Sequence, residues 1–167
     1  MSPTEDVMAH AALIARFYAA FGRLDYQAMI SCYAPAVHFS DPVFGDLHGA
    51  KVGQMWQMLC ERATDLRVEC GPVRIASDRC GVEWQAWYTY SATGRVVHNI
   101  VAATFVFEHG LIRRHDDVFS LYRWARQALG LPGILLGWTP PVQQKIRTQA
   151  TRALDAYAKR SAGLSSV

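Results

Sequence analysis

Asp41 is the first residue of this sequence whose surroundings suggest chemistry. It follows the alternating apolar positions Val37 and Phe39, which predict a strand, and it directly precedes Pro42. Proline restricts the residue before it to an extended conformation, so the backbone of Asp41 is fixed. Apolar neighbours raise the pKa of a carboxyl group toward the range of a general base. An Asp-Pro pair is also an ordinary turn signal, and the sequence leaves that plainer interpretation open.

A second group of polar residues lies on a predicted hairpin over residues 96–121. If His109 and Gly110 form a two-residue turn, Glu108 faces Leu111 and the strands pair in register from there. Side chains alternate between the two faces of a strand, so one face is predicted to carry seven residues: His98, Ile100, Ala102, Thr104, His115, Asp117 and Phe119. This mixture of apolar, imidazole and carboxyl groups suits a ligand pocket. The other face is more uniformly apolar, and it is expected to pack against another layer.

The composition predicts one globular domain in a reducing compartment. The chain has 167 residues, of which 51% are hydrophobic, and this is enough apolar surface for a core. Its cysteines are widely spaced, as is typical of reduced thiols, and they offer no zinc-ligand spacing. The first residues lack the basic and apolar regions of a secretory signal, and the apolar run 129–138 is too short and broken to span a membrane. We therefore expect a cytoplasmic protein without a metal site.

Positive charge is concentrated in the carboxyl-terminal part. The net charge of +3 combines −3 over residues 1–121, from ten Lys and Arg against thirteen Asp and Glu, with +6 over residues 122–167, from seven against one. Such a segment can attract an acidic partner or a membrane surface, but spread-out charges are more often the solvated side of a helix. The sequence favours the solvated helix. It contains no nucleic-acid-binding motif.

The hydrophobic period changes from helical to extended after residue 63. Three helices are predicted before this change, with the Asp41 strand between the second and the third: 4–21, 26–33 and 49–63. Four β-rich runs follow, separated by turn signals: 66–76, 81–91, 96–108 and 111–121. This order predicts an α+β fold in which a curved antiparallel sheet wraps over three helices.

Residues 122–167 extend beyond the predicted domain of residues 1–121. A short helix over 122–129 and an apolar elbow rich in Gly and Pro precede a final helix over about residues 141–157. We expect this extension to pack on the same domain or on a dimer mate. Roles as a pocket lid or in membrane contact are minority options.

Four stretches of the sequence carry a family resemblance: Leu13-Ile-Ala-Arg-Phe17, Cys32-Tyr-Ala-Pro-Ala-Val-His-Phe-Ser-Asp-Pro42, His48-Gly49 and Phe107-Glu-His-Gly-Leu-Ile112. Over about residues 8–121 the chain resembles the NTF2-like superfamily, and within it the SnoaL-like and ketosteroid isomerase-like proteins. The resemblance implies a cone-shaped fold, a homodimer and a mostly apolar pocket. Isomerases, cyclases, dehydratases, epoxide hydrolases and non-catalytic binders share this fold, so the resemblance is weakly specific for function.

The comparison with ketosteroid isomerases is incomplete. Those enzymes combine an aspartate base with a tyrosine and a protonated aspartate that stabilise a dienolate. Asp41 matches the base, but Phe17, with Tyr18 adjacent, stands at the tyrosine position and Ala102 at the position of the second aspartate. Gln57 replaces a tyrosine that often supports the site. Because losing one such donor typically costs roughly 10²–10³ in rate, steroid isomerisation by that mechanism is not expected.

The resemblance to SnoaL-like polyketide cyclases implies a different set of groups. Those proteins use an acidic residue and a histidine inside the cone, which here implies Asp117 with His115 or His98. We expect Asp41 and Asp117 to share the pocket and to titrate apart, one as base and one as acid. Candidate substrate-binding residues are Phe17, Tyr18, Trp56, Trp87, Ile100, Ala102, Thr104 and Phe119.

The predicted function is cofactor-free acid–base chemistry on a small hydrophobic carbonyl compound, by isomerisation, cyclisation or dehydration. Two alternatives remain open. One is a non-catalytic protein that binds an apolar ligand or serves as a dimeric scaffold. The other is water activation as in limonene epoxide hydrolases, which would require Arg95, Arg113 or Arg114 between two carboxylates.

Overall fold

The computed structural model describes residues 3–76 and 79–164 of the protein. In this part of the chain the elements are, in order, α1 (Pro3–Gly22), α2 (Tyr26–Ile30), β1 (Tyr33–Asp41), β2 (Gly45–His48), α3 (Ala50–Arg62), β3 (Arg67–Cys70), β4 (Arg74–Ala76), β5 (Arg79–Tyr90), β6 (Arg95–Glu108), β7 (Leu111–Val118), α4 (Leu121–Leu129), α5 (Leu131–Leu136) and α6 (Pro140–Leu164). The α+β fold expected from the sequence is confirmed.

The strands form a curved, open sheet in the order β2-β1-β7-β6-β5-β3, and β4 pairs with β5 at one end. Neighbouring strands are antiparallel except β1 and β7, which run parallel. The helices α1 and α3 pack on one side of this sheet, which we call the inner face. The opposite side is the outer face.

The inner face is closed by side chains at helical spacing. Four residues of α1 at positions i, i+3, i+4 and i+7 are buried: Ile14, Phe17, Tyr18 and Phe21. The helix α3 buries Val52, Met55 and Trp56 in the same way. These residues pack with the inner side chains of the strands into one apolar core, so the concave side of the sheet is lined by α1 and α3.

The register of the β6–β7 hairpin differs from the predicted one. Glu108 pairs with Leu111 as predicted, but the register shifts within the next two pairs because Arg113 is an extra, bulged residue. Beyond the bulge, Asp117 faces Ala103, whereas the prediction placed it opposite Ala102.

A one-residue shift of register moves every later side chain of a strand to the opposite face. The predicted face assignment is therefore wrong. His115 and Asp117 lie on the inner, apolar face with the residues Val101, Ala103 and Phe105. The residues predicted to share their face lie on the outer side instead: His98, Ile100, Ala102 and Thr104.

Several element boundaries also differ from those predicted. The second helix ends at Ile30, and the chain turns so that Tyr33 already belongs to β1. The run 66–76 is divided into two strands by residues 71–73, where Gly71 lies so close to β5 that a Cβ would be 2.9 Å from the carbonyl oxygen of Glu83. A short strand, β2, precedes α3, and the apolar elbow contains the helix α5.

The carboxyl-terminal extension packs on the same chain, where β6 extends beyond the end of β7. The last β6–β7 pair is Ala102 with Val118, so the backbone of His98 has no strand partner on that side. The side chain of Gln127 on α4 replaces the missing strand: its Oε1 accepts from the His98 N–H at 2.8 Å and its Nε2 donates to the His98 carbonyl at 3.0 Å. The extension and the sheet therefore form one folded unit.

A second apolar cluster joins the extension to the inner face. Its buried residues are Val97, Leu121, Trp124, Ala125, Ala128 and Ile146. Two polar contacts hold the helix α6 on the rest of the chain. Arg147 Nε donates to the carbonyl of Pro42 at 2.9 Å, and Asp155 forms an ion pair with Lys51 at 2.9 Å.

Within residues 3–76 and 79–164, none of the helices combines the length and apolarity needed to span a bilayer.

Gly133 permits the close approach of α5 to α4. A Cβ at this position would lie 1.9 Å from the carbonyl oxygen of Ala125, a backbone atom that moves only if α4 moves. We expect Gly133→Ala to lower the free energy of unfolding by about 1–3 kcal/mol, measured by urea denaturation. In the control Gly163→Ala on α6 the added Cβ meets nothing within 4 Å, so that change should be neutral or stabilise by up to about 1 kcal/mol. Equal effects of the two substitutions would contradict the α4–α5 contact.

Candidate active site

A network of hydrogen bonds crosses the inner core from α3 to β5. Trp56 Nε1 donates to the Tyr33 hydroxyl at 3.0 Å, and that hydroxyl lies 2.7 Å from His115 Nδ1. His115 Nε2 lies 2.9 Å from Asp117 Oδ1, and Trp84 Nε1 reaches the same oxygen at 3.4 Å. We call these five residues the buried network. His115 is 0% exposed and Asp117 is 5% exposed, so the network is formed without bulk water.

The order of donors in the buried network follows from the chemistry of its members. An indole N–H only donates, so the Tyr33 oxygen accepts from Trp56, and the arrangement that gives every group in the network a partner directs the Tyr33 proton to His115 Nδ1. The imidazole proton then belongs on Nε2, where it is donated to Asp117. With this tautomer every donor meets an acceptor, and the ring of His115 is fixed at both nitrogens.

Aromatic rings enclose the imidazole of His115. The ring centroids of Phe105, Phe39 and Phe17 lie 4.3, 5.1 and 5.6 Å from it. In such a low-dielectric environment a hydrogen bond is stronger, and an unpaired polar group is more costly, than in water. The surroundings therefore hold the buried network in one arrangement.

Asp41 lies beside Asp117 on the inner face. In the parallel β1–β7 pair, Phe39 is the partner of His115 and Ser40 is the partner of Asp116. The next step of this register brings Asp41 next to Asp117. Burial raises the pKa of Asp41 to about 6, the Asp117 carboxyl group adds to the rise, and backbone N–H groups at the turn oppose it.

The turn after β1 holds one oxygen of Asp41 in place. Oδ1 accepts the backbone N–H of Val43 at 2.8 Å and also that of Phe44. This Asx-type turn leads directly into β2 through Gly45, whose φ of +66° is suited to glycine. Both interpretations of the Asp-Pro pair therefore apply. The pair turns the chain, and it places a carboxyl group in an apolar environment.

Tyr18 contributes a buried hydroxyl to the same region. It is 3% exposed, its ring lies 5.4 Å from Trp84 and 6.3 Å from Phe105, and its hydroxyl has no hydrogen-bond partner among the described residues. Burial raises its pKa well above the usual range, and the nearby Asp117 adds to the shift. An unpaired buried hydroxyl costs free energy, so this group is an exception among the buried polar atoms of the described residues.

The carboxyl-terminal extension covers the end of the inner face near Asp41. Trp124 of α4 donates to the hydroxyl of Tyr88 at 2.8 Å. Burial raises the pKa of Tyr88 to about 12, and the charge of Asp41 contributes to this rise. Tyr88 and Phe119 pack against both apolar clusters, so they mark the junction between the core of the sheet and the extension.

The structure separates the predicted site residues into two groups. Phe17, Tyr18 and Trp56 are buried on the inner side with His115 and Asp117, and Phe119 is partly buried at the junction with the extension. The remaining predicted residues lie on the outer face, contrary to the predicted pocket: Trp87, His98, Ile100, Ala102 and Thr104.

The outer-face residues Trp87 and His98 interact with each other across the paired strands β5 and β6. Trp87 and His98 are direct partners, and their rings stack at 4.5 Å. His98 Nε2 is bound to Gln85 Oε1 at 2.8 Å, and the guanidinium of Arg67 lies over the Trp87 ring. Asp117 and His98 therefore lie on opposite sides of the sheet, and His98 cannot join His115 in one pocket.

Two members of the buried network were not predicted as site residues. Tyr33 was placed at the end of a helix, although it has the same strand parity as Val37, Phe39 and Asp41. Trp84 was not among the candidate site residues. The alternation of β1 could have indicated Tyr33, but nothing in the sequence places Trp84 on Asp117.

The three arginines considered for water activation bind elsewhere. Arg113 donates to the carbonyl of Ala36 at 2.7 Å, Arg114 to Asp116 at 2.6 Å and Arg95 to the carbonyl of Gln127 at 2.8 Å. None of these three contacts involves Asp41 or Asp117. Arg113 and Arg114 also line an open groove of about 800 Å³ on the outer face, which is separate from the inner carboxyl groups.

Comparison with known proteins identifies the family. The model of the SnoaL-like domain matches residues 14–115, more than half of the chain, and the chain belongs to this family. The NTF2-like cone and the relation to the ketosteroid isomerase-like fold are thereby confirmed. No curated protein matches the sequence.

Solved structures share the fold at low sequence identity. An NTF2-like protein of unknown function from Burkholderia pseudomallei K96243 is 19% identical, with a TM-score of 0.62, over 72% of this chain and 97% of that one. An LEH-like epoxide hydrolase from M. tuberculosis is 14% identical, with a TM-score of 0.63, over 77% and 96%. A protein from Xanthomonas campestris pv. campestris, provisionally named a polyketide cyclase, is 20% identical, with a TM-score of 0.61, over 74% and 98%. These similarities show the fold.

Two tyrosine substitutions test the buried network. Tyr33→Phe leaves His115 Nδ1 and the Trp56 N–H without their partner, so we expect a loss of about 1–3 kcal/mol in the free energy of unfolding, measured by urea denaturation. Tyr18→Phe is the matched control because it removes a buried hydroxyl that has no partner. It should be neutral or stabilising. A larger loss in Tyr18→Phe than in Tyr33→Phe would contradict the hydrogen-bond assignment.

The raised pKa of Asp41 predicts a specific pH dependence. The folded protein binds this proton more tightly than the unfolded chain, so the contribution stabilises the fold at low pH and is lost as the pH rises from about 4 to about 6. A shift from 3.8 to about 6 corresponds to at most about 3 kcal/mol. We expect the wild-type protein to lose up to this much stability relative to Asp41→Asn between pH 4 and pH 7, in urea titrations. A difference that stays constant over this range would refute the shift.

Proposed function

We propose that this SnoaL-like protein catalyses a cofactor-free acid–base reaction, an isomerisation, cyclisation or dehydration, on a small hydrophobic carbonyl compound. The observation that carries the proposal is the pair of carboxyl groups, Asp41 and Asp117, on neighbouring strands of the inner face. The preceding residues Phe39 and Ser40 pair with His115 and Asp116, and the charge of Asp117 contributes to the raised pKa of Asp41, yet the hydrogen-bond environments of the two carboxyl groups differ. Two titratable groups in different environments are a common basis for acid and base roles.

Asp41 is the proposed general base. A carboxyl group with a pKa of about 6 is ionised at neutral pH and is a stronger base than an ordinary carboxylate. The backbone N–H groups of Val43 and Phe44 hold its Oδ1. It would remove a proton from the carbon next to the substrate carbonyl, and the same proton can return at another carbon.

Tyr18 is the proposed donor to the substrate oxygen. When a proton leaves the carbon, negative charge develops on the carbonyl oxygen, and a donor aimed at that oxygen lowers the barrier. The Tyr18 hydroxyl is buried without a partner, and it keeps its proton because its pKa is well above the usual range. A bound carbonyl oxygen would give this hydroxyl the acceptor that it lacks.

Asp117 is the proposed second acid–base group, and His115 is the residue that positions it. Asp117 Oδ1 is committed to His115 and Trp84, and the structure records no hydrogen bond to Oδ2 among the described residues. The second oxygen can therefore exchange a proton with substrate while the first one fixes the geometry. Tyr33 and Trp56 hold His115 in turn.

A non-catalytic binding protein is the second candidate, because the extension covers the region around Asp41 and could retain an apolar ligand there. Trp124 and Arg147 attach α4 and α6 to the region around Asp41. A cover of this kind suits retention of an apolar ligand as well as turnover. This candidate predicts saturable binding that is unaffected when either carboxyl group is replaced.

Hydrogen–deuterium exchange at an enolisable carbon tests the proposal. We expect the protein to accelerate exchange of the α-protons of 2-tetralone into D₂O, followed by NMR, with a rate that rises with pH around a midpoint of about 6. Asp41→Asn should reduce the rate roughly 10²-fold or more because it removes the base. Asp117→Asn should reduce it as well, through loss of the second acid–base group.

Asp116→Asn is the matched control for this experiment. Asp116 is the neighbour of Asp117, but it lies on the outer face with Arg114 and Ser40, so its replacement should leave the exchange rate unchanged. Circular dichroism establishes that each variant is folded. Equal losses in Asp116→Asn and Asp117→Asn would contradict the assigned site. Binding of 2-tetralone without exchange, and unchanged in both site variants, would favour the binding protein.

A further inference from the structure

The elbow between α4 and α6 exposes a concentrated apolar surface. Within eight residues, five large apolar side chains are between 42% and 73% exposed: Leu131, Ile134, Leu135, Leu136 and Trp138. We call these five residues the α5 patch. The other large apolar side chains that are exposed in the described part of the chain are spread over separate elements: Met8, Ile30, Ile75, Val96 and Val118. A concentrated patch of this kind marks an interaction surface.

The backbone that carries the α5 patch is fixed on α4. Gly133 lies against the carbonyl of Ala125, and the Tyr122 hydroxyl donates to the carbonyl of Ile134 at 3.1 Å. Trp138 Nε1 donates to the carbonyl of Leu135 at 3.2 Å. One side of α5 is therefore held by the fold, while the large apolar side chains point away from it.

Two arginine side chains lie beside the α5 patch, one of them where α5 begins. The guanidinium of Arg95 lies against Gly130, where α5 begins, because a Cβ there would be 3.0 Å from Arg95 Cζ. The guanidinium of Arg126 lies 5.5 Å from the ring of Tyr122, whose hydroxyl is bound to Ile134. Residues 118–154 contain five Lys and Arg and no Asp or Glu.

We propose that the α5 patch docks on the surface of an anionic lipid bilayer. An apolar face with arginine side chains beside it and a tryptophan at its border is an arrangement that binds the interface between acyl chains and acidic headgroups. The helix has six residues, so it would lie within this interface and not cross the bilayer. The sequence alone favoured a solvated helix for the basic segment. The structure adds the apolar half of an amphipathic surface beside the charges.

A second copy of this chain is a less suitable occupant. A two-fold symmetric contact brings the same patch of each copy together. The rim of one patch, which carries Arg95 and Arg126, would then meet the equally positive rim of the other, with no acidic residue of 118–154 to compensate the charge. Headgroups such as phosphatidylglycerol supply the missing negative charge.

Co-sedimentation of the full-length protein with vesicles tests this proposal. We expect binding to vesicles made of three parts phosphatidylcholine and one part phosphatidylglycerol, weaker binding to phosphatidylcholine alone, and a decrease with rising salt. The double variant Leu135→Ser/Trp138→Ser should partition roughly tenfold less, because it removes apolar contact with the acyl chains. Arg126→Gln should weaken binding to the anionic vesicles and leave binding to phosphatidylcholine unchanged.

Val118→Ser is the matched control, since Val118 is as exposed as Leu135 but lies on β7. It should bind vesicles like the wild-type protein. Thermal melting establishes that the variants are folded. Absence of binding to anionic vesicles at low salt, or equal losses in the control and the double variant, would overturn the proposal. Light scattering that shows a wild-type dimer dissociated by Leu135→Ser/Trp138→Ser would assign the α5 patch to a second copy instead.

Discussion

The structure depends on burying two ionisable side chains, His115 and Asp117, in an aromatic core. Polar groups without water are tolerated only when their hydrogen bonds are made inside the protein. Tyr33, Trp56 and Trp84 make those bonds, and they come from β1, α3 and β5. The buried network therefore ties together the strands and a helix that form the cone, and the requirements of its members restrict how these elements pack.

A single bulged residue decides on which face this network lies. Arg113 shifts β7 by one position against β6, and this turns His115 and Asp117 toward the helices. Without the shift, the two residues would lie beside Thr104 and Ala102 on the outer face. Because β1 pairs with β7 beyond the bulge, the same shift brings Asp117 next to Asp41. The proposed site is thus a consequence of strand register.

The extension connects the proposed site to the proposed membrane surface. The helix α4 contacts the region of Asp41 through Trp124 and Tyr88, and it supports α5 through Gly133. The same helix completes the free edge of β6 through Gln127. Residues after 120 therefore stabilise the sheet, cover the inner face and present the α5 patch to the surroundings.

The sequence by itself determined the α+β class, the three amino-terminal helices ahead of the main β-rich runs, and the position of Asp41 at the end of an apolar strand, because these depend on local periodicity and on the restriction that Pro42 imposes. It also indicated the cone, through the motifs around Asp41 and Phe107. Only the tertiary structure decided which face His115 and Asp117 occupy, that Trp84 and Tyr33 are their partners, and that His98 lies on the opposite side. A bulge leaves no clear mark on hydrophobic alternation, and hydrogen bonds between distant strands depend on register, which local sequence patterns do not encode.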